Sequence, residues 1–245
     1  LNHNAKKLHL FDIGFGIRFF FKQLTSSISG RYKKVYLAGC EPSKKNFDHF
    51  AESKALYECE DISIEIENKT FLESGKKGSF DFVTAIYVFP HIVFDELEQT
   101  VQKIHSLLDN DGRFVLVLAN EEYLKGKLAS QRDLFLEENM ISYYNKTYKE
   151  FLHYSDIPEI GKVIDYNRED IFYQDLFGNN RFKLEQKTNI NDNGFICTMF
   201  VFLREENIFG TSNSRPIEKQ AMEVELLKQE KSTVRPHTSS ANDIS

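Results

Sequence analysis

Short apolar runs alternate with helical periodicity along most of this 245-residue chain, and that rhythm constrains its fold more than any other feature. Runs such as "FDFVTAIYVF" and "RFVLVLA" are apolar almost throughout, which is typical of strands covered on both faces. Strand, helix and strand in succession predict parallel pairing with right-handed crossovers. The predicted strands are Leu8–Ile13, Lys34–Ala38, Ile62–Ile66, Phe80–Tyr87 and Arg113–Leu118, and the predicted helices cover 17–29, 43–57 and 93–108.

After Ala119 the rhythm changes. Residues 121–167 are polar and rich in tyrosine, and they predict an insertion of two helices and a loop. A helix over "REDIFYQDLFGNN" and two strands, "FKLEQKTNI" and "FICTMFVFL", then follow. The turn between these strands contains Asn193 and Gly194, residue types that accept positive φ in a tight hairpin. The sequence therefore predicts a doubly wound α/β fold, a Rossmann-like sheet of seven mostly parallel strands that ends in an antiparallel hairpin.

Composition divides the chain into a core-forming part and a polar end. Residues 1–204 predict one α/β domain, whereas 205–245 are polar, Ser/Thr-rich at their end and predicted to form a mobile tail. The first residue is Leu1 rather than Met, so we expect that the true N-terminus is missing.

Charge and cysteine usage exclude several classes of protein. The formal net charge of −6, from 31 basic and 37 acidic residues, makes nucleic acid an improbable partner. Three scattered cysteines provide neither a disulfide framework nor zinc spacing, so we predict reduced thiols in a cytoplasmic protein without a bound metal. The sequence contains no run of 18 to 20 apolar residues, so it predicts no membrane-spanning helix. The oligomeric state is not predictable from the sequence.

The stretch "HLFDIGFGIRFF" places one carboxylate and two glycines at the end of the first predicted strand. Gly14 and Gly16 let the backbone approach a ligand closely, and the N-terminus of the next helix offers free N–H groups. Glu41 ends the second strand, where a carboxylate can accept hydrogen bonds from both hydroxyls of a ribose. Together these residues predict a site for an adenosine-containing cofactor.

The loop does not fit two common nucleotide fingerprints. A dinucleotide motif requires glycine where Phe19 stands, and it has no place for an acid at Asp12. No Gly-Lys-Ser/Thr follows, so a Walker phosphate loop is absent. An NAD-dependent oxidoreductase remains an alternative, as does a non-catalytic module that binds a nucleotide or S-adenosylmethionine.

Four segments in register resemble the class I S-adenosylmethionine-dependent methyltransferases. "LFDIGFG" resembles motif I of that family, and "VYLAGCEPS" is similar to its second-strand motif. "SFDFVTAIYVFPHI" resembles the fourth strand and its exit, and "LLDNDGRFVLV" the turn into the fifth. The resemblance covers residues 8–204. It implies S-adenosyl-L-methionine as the cofactor, with roles for matched positions.

By this resemblance, Asp12 and the loop of Gly14 and Gly16 hold the methionine end of the cofactor, and Glu41 holds the ribose. The adenine is expected beside the ends of the third and fourth strands, whose matching positions are Asn68, Ala85 and Ile86.

The acceptor side of the site is less defined by the sequence. His91 follows the fourth strand and is the candidate general base, with a packed histidine as the alternative. Tyr143, Tyr144 and Tyr148, with Tyr154 nearby, are candidate substrate-binding residues, although their near-helical spacing also fits packing. By the resemblance, the insertion is where the acceptor pocket is expected, and its mix of apolar and tyrosine residues indicates a small molecule with some apolar surface. The resemblance then implies methylation of that small molecule at nitrogen or oxygen.

Overall fold

In a computed structural model of the chain, the structure describes residues 7–16, 24, 28, 31–130, 135–157, 161–192 and 194–206. The strands are β1 (Lys7–Ile13), β2 (Lys34–Cys40), β3 (Ile62–Glu67), β4 (Phe80–Ile86), β5 (Leu108–Ala119), β6 (Phe135–Tyr143), β7 (Lys146–Ile157), β8 (Gly161–Arg168), β9 (Phe182–Asp192) and β10 (Phe195–Arg204). The described helices are α1 (Lys44–Ser53), α2 (Phe94–Leu107), α3 (Glu121–Ser130) and α4 (Asp170–Asn179), with single 3₁₀ turns at Lys54–Leu56 and Phe89–His91.

Seven strands form one sheet in the order β3-β2-β1-β4-β5-β10-β9. β1 to β5 pair in parallel, and β10 runs antiparallel to both β5 and β9. The predicted doubly wound sheet with a terminal hairpin is therefore confirmed. Because β1 and β4 are neighbours at the point where the strand order reverses, their carboxyl ends border the crevice in which such folds bind ligands.

Aromatic side chains fill the core beneath the hairpin. Phe177 of α4 stacks on Phe202 of β10 at 4.3 Å between ring centroids and on Phe114 of β5 at 5.0 Å. All three side chains are fully buried. Offset-stacked rings contribute beyond the area that they bury, so this cluster fixes α4 against the sheet.

Some element boundaries follow local signals in the sequence, and others differ from the prediction by four or five residues. Ser43 caps α1, since its Oγ accepts a hydrogen bond from the Asn46 backbone N–H at 3.4 Å. α1 ends at Ser53, short of the predicted 57, and β5 begins five residues before the predicted Arg113. The predicted helix over 17–29 lies outside the described residues, except that Leu24 and Ile28 are helical and buried.

The prediction of two helices over 121–167 is wrong. One helix, α3, is followed by β6, β7 and β8, which form a separate three-stranded antiparallel sheet in that order. Tyr144 and Asn145 form the turn between β6 and β7 with φ of 43° and 62°. Strands of mixed polarity give a weak two-residue period, so this sheet is hard to distinguish from helix in the sequence.

The end of the described chain supports the predicted hairpin. Gly194 adopts φ of 90°, as a tight turn requires, whereas Asn193 lies outside the described residues. Of the tail predicted over 205–245, only Glu205 and Glu206 are described. In the part of the chain that the structure describes, no helix is both long and apolar enough to cross a membrane.

Candidate functional site

The loop after β1 turns back on itself through two left-handed glycines. Gly14 has φ of 64° and donates its N–H to the carbonyl of Cys40 at 2.8 Å. Gly16 has φ of 55° and donates its N–H to Oε2 of Glu41 at 2.9 Å. The predicted loop and the predicted acid therefore lie together at the carboxyl edge of the sheet.

The two glycines serve different purposes, and this corrects the expectation that both leave bare backbone for a ligand. A Cβ on Gly14 would lie 2.8 Å from Cγ2 of Val88, so that side chain already covers Gly14. No described atom lies within 4 Å of the Cβ position of Gly16. Among the described residues of the loop, Gly16 rather than Gly14 therefore has space for a Cβ beside it.

Alanine substitutions should separate these two roles. We expect Gly14→Ala to lower the free energy of unfolding by about 2 kcal/mol or more, because positive φ and contact with Val88 both oppose a Cβ. Gly16→Ala should lower the free energy of unfolding by only about 1 kcal/mol, because only the positive φ opposes a Cβ there. Urea unfolding measures both values. The Val88→Ala change should recover part of the loss in Gly14→Ala, and equal costs at the two glycines would contradict this account.

Glu41 is only 5% exposed and its carboxylate joins three segments. Oε1 accepts the Ser43 N–H at 2.9 Å and the Asn46 Nδ2–H at 3.5 Å, while Oε2 accepts from Gly16. An ionised carboxylate has about four lone-pair positions, so Glu41 retains capacity for further donors. It contacts the glycine loop through the Gly16 N–H.

Asp12 lies at the end of β1 and is almost completely buried. Burial raises the pKa of its carboxyl to about 7; the hydrogen bond from Thr84 Oγ1 (2.5 Å) lowers the pKa, whereas the charge of Glu41 adds to the rise. A buried carboxyl of this kind is stabilised in its ionised form by a nearby cation. The site thus contains a carboxyl suited to an ammonium group.

The structure places the three predicted adenine-side residues differently. Asn68 follows β3, and its Nδ2 donates to the backbone carbonyls of Glu41 (2.8 Å) and Pro42 (3.2 Å), so it fixes the backbone that carries Glu41. Ala85 is fully buried within the core, whereas Ile86 is partly exposed at the end of β4.

The tyrosines of the insertion are on strands and a turn, which corrects the helical spacing read from the sequence. Tyr143 and Tyr148 are buried and pack edge-on against Phe172 of α4. Their hydroxyls bond to α4 and its end, at Asn180 and Asp175. Tyr144 is 63% exposed in the turn. The buried pair thus has a packing role in this structure.

Three aromatic residues that the sequence did not single out meet at the carboxyl edge. The ring of Phe195 lies 5.7 Å from that of Tyr87 and 5.1 Å from that of Tyr123, edge-on in both cases. They come from the start of β10, the exit of β4 and the first turn of α3. Only the tertiary fold joins these segments, so no local motif could have indicated the cluster.

His91 lies in the 3₁₀ turn after β4, and its side chain is 38% exposed. Its Nδ1 is 3.0 Å from Oδ1 of Asp165 on β8. No group of three His, Cys, Asp or Glu side chains within the described ranges has the geometry of a metal site.

The fold is that of the class I S-adenosylmethionine-dependent methyltransferases. Its defining features are the strand order, the left-handed glycine loop and the acid that accepts a hydrogen bond from this loop. Residues 11–116 match the family described as a methyltransferase domain, a segment that runs from β1 into β5. This segment of the chain is therefore similar to a methyltransferase domain. No curated protein matches it in sequence.

Solved structures share the fold at low sequence identity. A SAM-dependent methyltransferase from Methanosarcina mazei has a TM-score of 0.61 at 16% identity, over 84% of this chain and 96% of that one. The glycopeptide N-methyltransferase MtfA, in complex with S-adenosyl-L-methionine, has a TM-score of 0.56 at 12% identity, over 81% and 87%. The 1,6-didemethyltoxoflavin-N1-methyltransferase of Burkholderia thailandensis was solved with 1,6-didemethyltoxoflavin and S-adenosylhomocysteine bound. It has a TM-score of 0.52 at 10% identity, over 82% of this chain and 72% of that one.

Proposed function

We propose that this protein transfers a methyl group from S-adenosylmethionine to a small molecule. The observation that carries the proposal is the contact between Glu41 Oε2 and the Gly16 N–H, which brings the ribose-type acid beside a glycine whose Cβ position no described atom approaches within 4 Å. The small-molecule methyltransferases among its structural neighbours support the same class of acceptor.

The residues at this edge have distinct tasks in the proposed reaction. S-adenosylmethionine would supply an electrophilic methyl group on a sulfonium that is already a good leaving group. Asp12 would pair with the ammonium of the amino-acid arm, Glu41 would accept hydrogen bonds from the ribose hydroxyls, and the Gly16 backbone would admit the chain between them. Asn68 supports Glu41, and Ile86 would lie along the adenine. The protein then acts mainly by aligning two reactants and excluding water.

The acceptor is proposed to be a small molecule with an aromatic or apolar surface. Tyr87, Tyr123 and Phe195 present edge-packed rings beyond the carboxyl ends of β4 and β5, where the acceptor must approach. We favour this cluster over Tyr143 and Tyr148, because those two rings are buried against α4. The acceptor atom is nitrogen or oxygen, and His91 is the candidate base.

We also propose that the protein works in the cytoplasm and without nucleic acid. Its three cysteines form no disulfide, which suits a reducing compartment. The net charge of −6 disfavours a phosphate backbone as partner.

Titration calorimetry with S-adenosylhomocysteine tests the cofactor site. We expect micromolar binding by the wild-type protein and at least a roughly ten-fold loss in Glu41→Ala, since each hydrogen bond to a charged group contributes about 1.5–3 kcal/mol. Glu52→Ala, an exposed carboxylate on α1, is the matched control and should bind normally. Folded wild-type protein that releases no heat would favour a non-catalytic module without this cofactor. Thermal stabilisation by NAD instead would indicate an oxidoreductase.

A further inference from the structure

The inserted sheet holds the loop after β4 at two points. Asp165 of β8 contacts the ring of His91, and three residues later Arg168 Nη2 donates to the backbone carbonyl of Ile92 at 3.1 Å. Arg168 is itself fully buried and lies 2.7 Å from Glu150 of β7. The position of the His91 ring is therefore set by β8 as well as by its own turn.

A chain of polar groups leads from the interior of that sheet to His91. Asn167 Nδ2 lies 2.9 Å from Nδ1 of His153, and because an amide nitrogen only donates, Nδ1 accepts and the ring proton of neutral His153 is on Nε2. That Nε2 lies 3.6 Å from Oδ2 of Asp165, whose Oδ1 lies 3.0 Å from His91 Nδ1. Each of the two carboxylate oxygens thus lies within ion-pair distance of a different imidazole.

The two imidazoles differ in what they can reach. His153 is buried, and burial lowers its pKa, an effect that nearby Lys127 reinforces and Asp165 opposes. It is therefore a neutral internal partner of the carboxylate. His91 is the one that a small molecule can contact, since over a third of its side chain is exposed.

His91 also adjoins the cofactor loop. Its backbone N–H donates to the carbonyl of Val88 at 2.9 Å, and Val88 is the residue whose side chain covers Gly14. One hydrogen-bonded turn therefore separates the imidazole from the glycine loop. An acceptor between the aromatic cluster and that loop would lie within the region that His91 borders.

We propose that Asp165 is a positioning residue that fixes the Nδ1–H tautomer of His91, so that Nε2 takes a proton from the methyl acceptor. A carboxylate facing one ring nitrogen determines which nitrogen carries the proton. The acceptor is then a compound whose attacking atom bears a proton, such as a phenol or an ammonium. Its O–H or N–H bond breaks, the proton goes to Nε2, and the released electron pair forms the new bond to the methyl carbon while the carbon–sulfur pair remains on sulfur. This inference rests on the proposed function.

Two measurements on the full chain test the assignment without knowledge of the acceptor. In nitrogen-15 NMR at pH 8, with His91→Gln for assignment, we expect the wild-type His91 ring to carry its proton on Nδ1. Diethyl pyrocarbonate should modify Nε2 of His91, and saturating S-adenosylhomocysteine should slow that modification. Asp165→Asn should slow it by about three-fold or more through loss of the fixed tautomer, relative to exposed His49 in the same digest.

Each result decides the proposal. An Nε2–H tautomer in the wild-type protein, or equal modification rates in wild type and Asp165→Asn, would overturn it. His153→Gln keeps the carboxylate beside His91 and should leave the rate of His91 modification unchanged. If Asp165 had a purely structural role, His153→Gln and Asp165→Asn would change that rate alike. If Asp165→Asn does not fold, the wild-type tautomer decides. Calorimetry with S-adenosylhomocysteine is independent, so loss of cofactor binding would refute the proposed function and not the tautomer.

Discussion

At pH 8 we expect the Asp12→Asn variant to be more stable than the wild-type protein and to bind S-adenosylhomocysteine more weakly. The native state keeps the Asp12 carboxyl buried, and its pKa rises from 3.8 to about 7. Above pH 7 the folded protein must therefore hold an ionised group that would be better solvated in the unfolded chain. The shift corresponds to about 4 kcal/mol, since one unit of pKa is about 1.4 kcal/mol.

The sign of the effect gives it a distinctive pH dependence. A group whose pKa is raised by folding stabilises the native state below its unfolded pKa and loses that contribution as pH rises through the folded pKa. The advantage of Asp12→Asn should thus be full above pH 7, shrink as pH falls and vanish near pH 4. Asparagine is isosteric and can still accept the Thr84 hydrogen bond. At pH 8 we expect the melting temperature of Asp12→Asn to be roughly 10 °C higher than that of the wild-type protein.

Binding should change in the opposite direction. Loss of the carboxylate removes a charged partner of the ligand ammonium, which should weaken S-adenosylhomocysteine by about ten-fold or more. In the wild-type protein, affinity should rise with pH through 7 as Asp12 ionises, with proton release detectable by calorimetry in buffers of different ionisation enthalpy. Asp12→Asn should show neither effect.

Asp81→Asn, at the start of β4 and the opposite edge of the sheet, serves as the control and should lack both the stabilisation and the binding defect. A destabilised Asp12→Asn at pH 8 would contradict the account of Asp12.

Arg168→Met should destabilise the protein by about 3–5 kcal/mol, because it leaves Glu150 buried without its cation. The guanidinium is fully buried, its Nε lies 2.7 Å from Glu150 Oε1, and it packs 5.9 Å from the ring centre of Phe172. The same side chain bonds the Ile92 carbonyl, so its loss also releases the loop that carries His91. Urea unfolding measures the change.

A double-mutant cycle distinguishes a broken charge pair from general damage to the inserted sheet. Glu150→Leu combined with Arg168→Met removes both charges, and replacement of a buried ion pair by apolar residues is often nearly neutral. The double variant should therefore be more stable than Arg168→Met alone. Lys149→Met, which removes an exposed ion pair with Glu138, is the matched control and should cost less than about 1 kcal/mol. Additive losses in the cycle would refute the predicted coupling.

The parallel sheet could be predicted because its strands are buried on both faces and therefore appear as continuous apolar runs. Phe82, Val83 and Ala85 are all buried in β4, as the run "FDFVTAI" indicates. The inserted sheet gave no such signal. In β6 only Tyr143 is buried, and the strand ends at a turn of Tyr144 and Asn145 rather than at an Asn-Gly pair. Its strand character comes from pairing with β7, which the sequence does not display.

The candidate site likewise contains residues that the sequence could predict and residues that it could not. Asp12, Gly16 and Glu41 lie in fixed places relative to strand ends, and adjacent parallel strands bring those ends together, so spacing alone indicated that they meet. Asp165 and His153 could not be associated with His91, because their contact depends on how β8 lies beside the turn after β4.

By itself, the sequence indicated the seven strands of the main sheet, the glycine loop and the acid near it, because each is encoded within a few neighbouring residues. The tertiary structure alone decided that Val88 covers Gly14, that Tyr87, Tyr123 and Phe195 share an edge, and that β8 holds His91. These contacts join segments that are distant in the chain. They affect stability only once folding has removed the charged and aromatic groups from water.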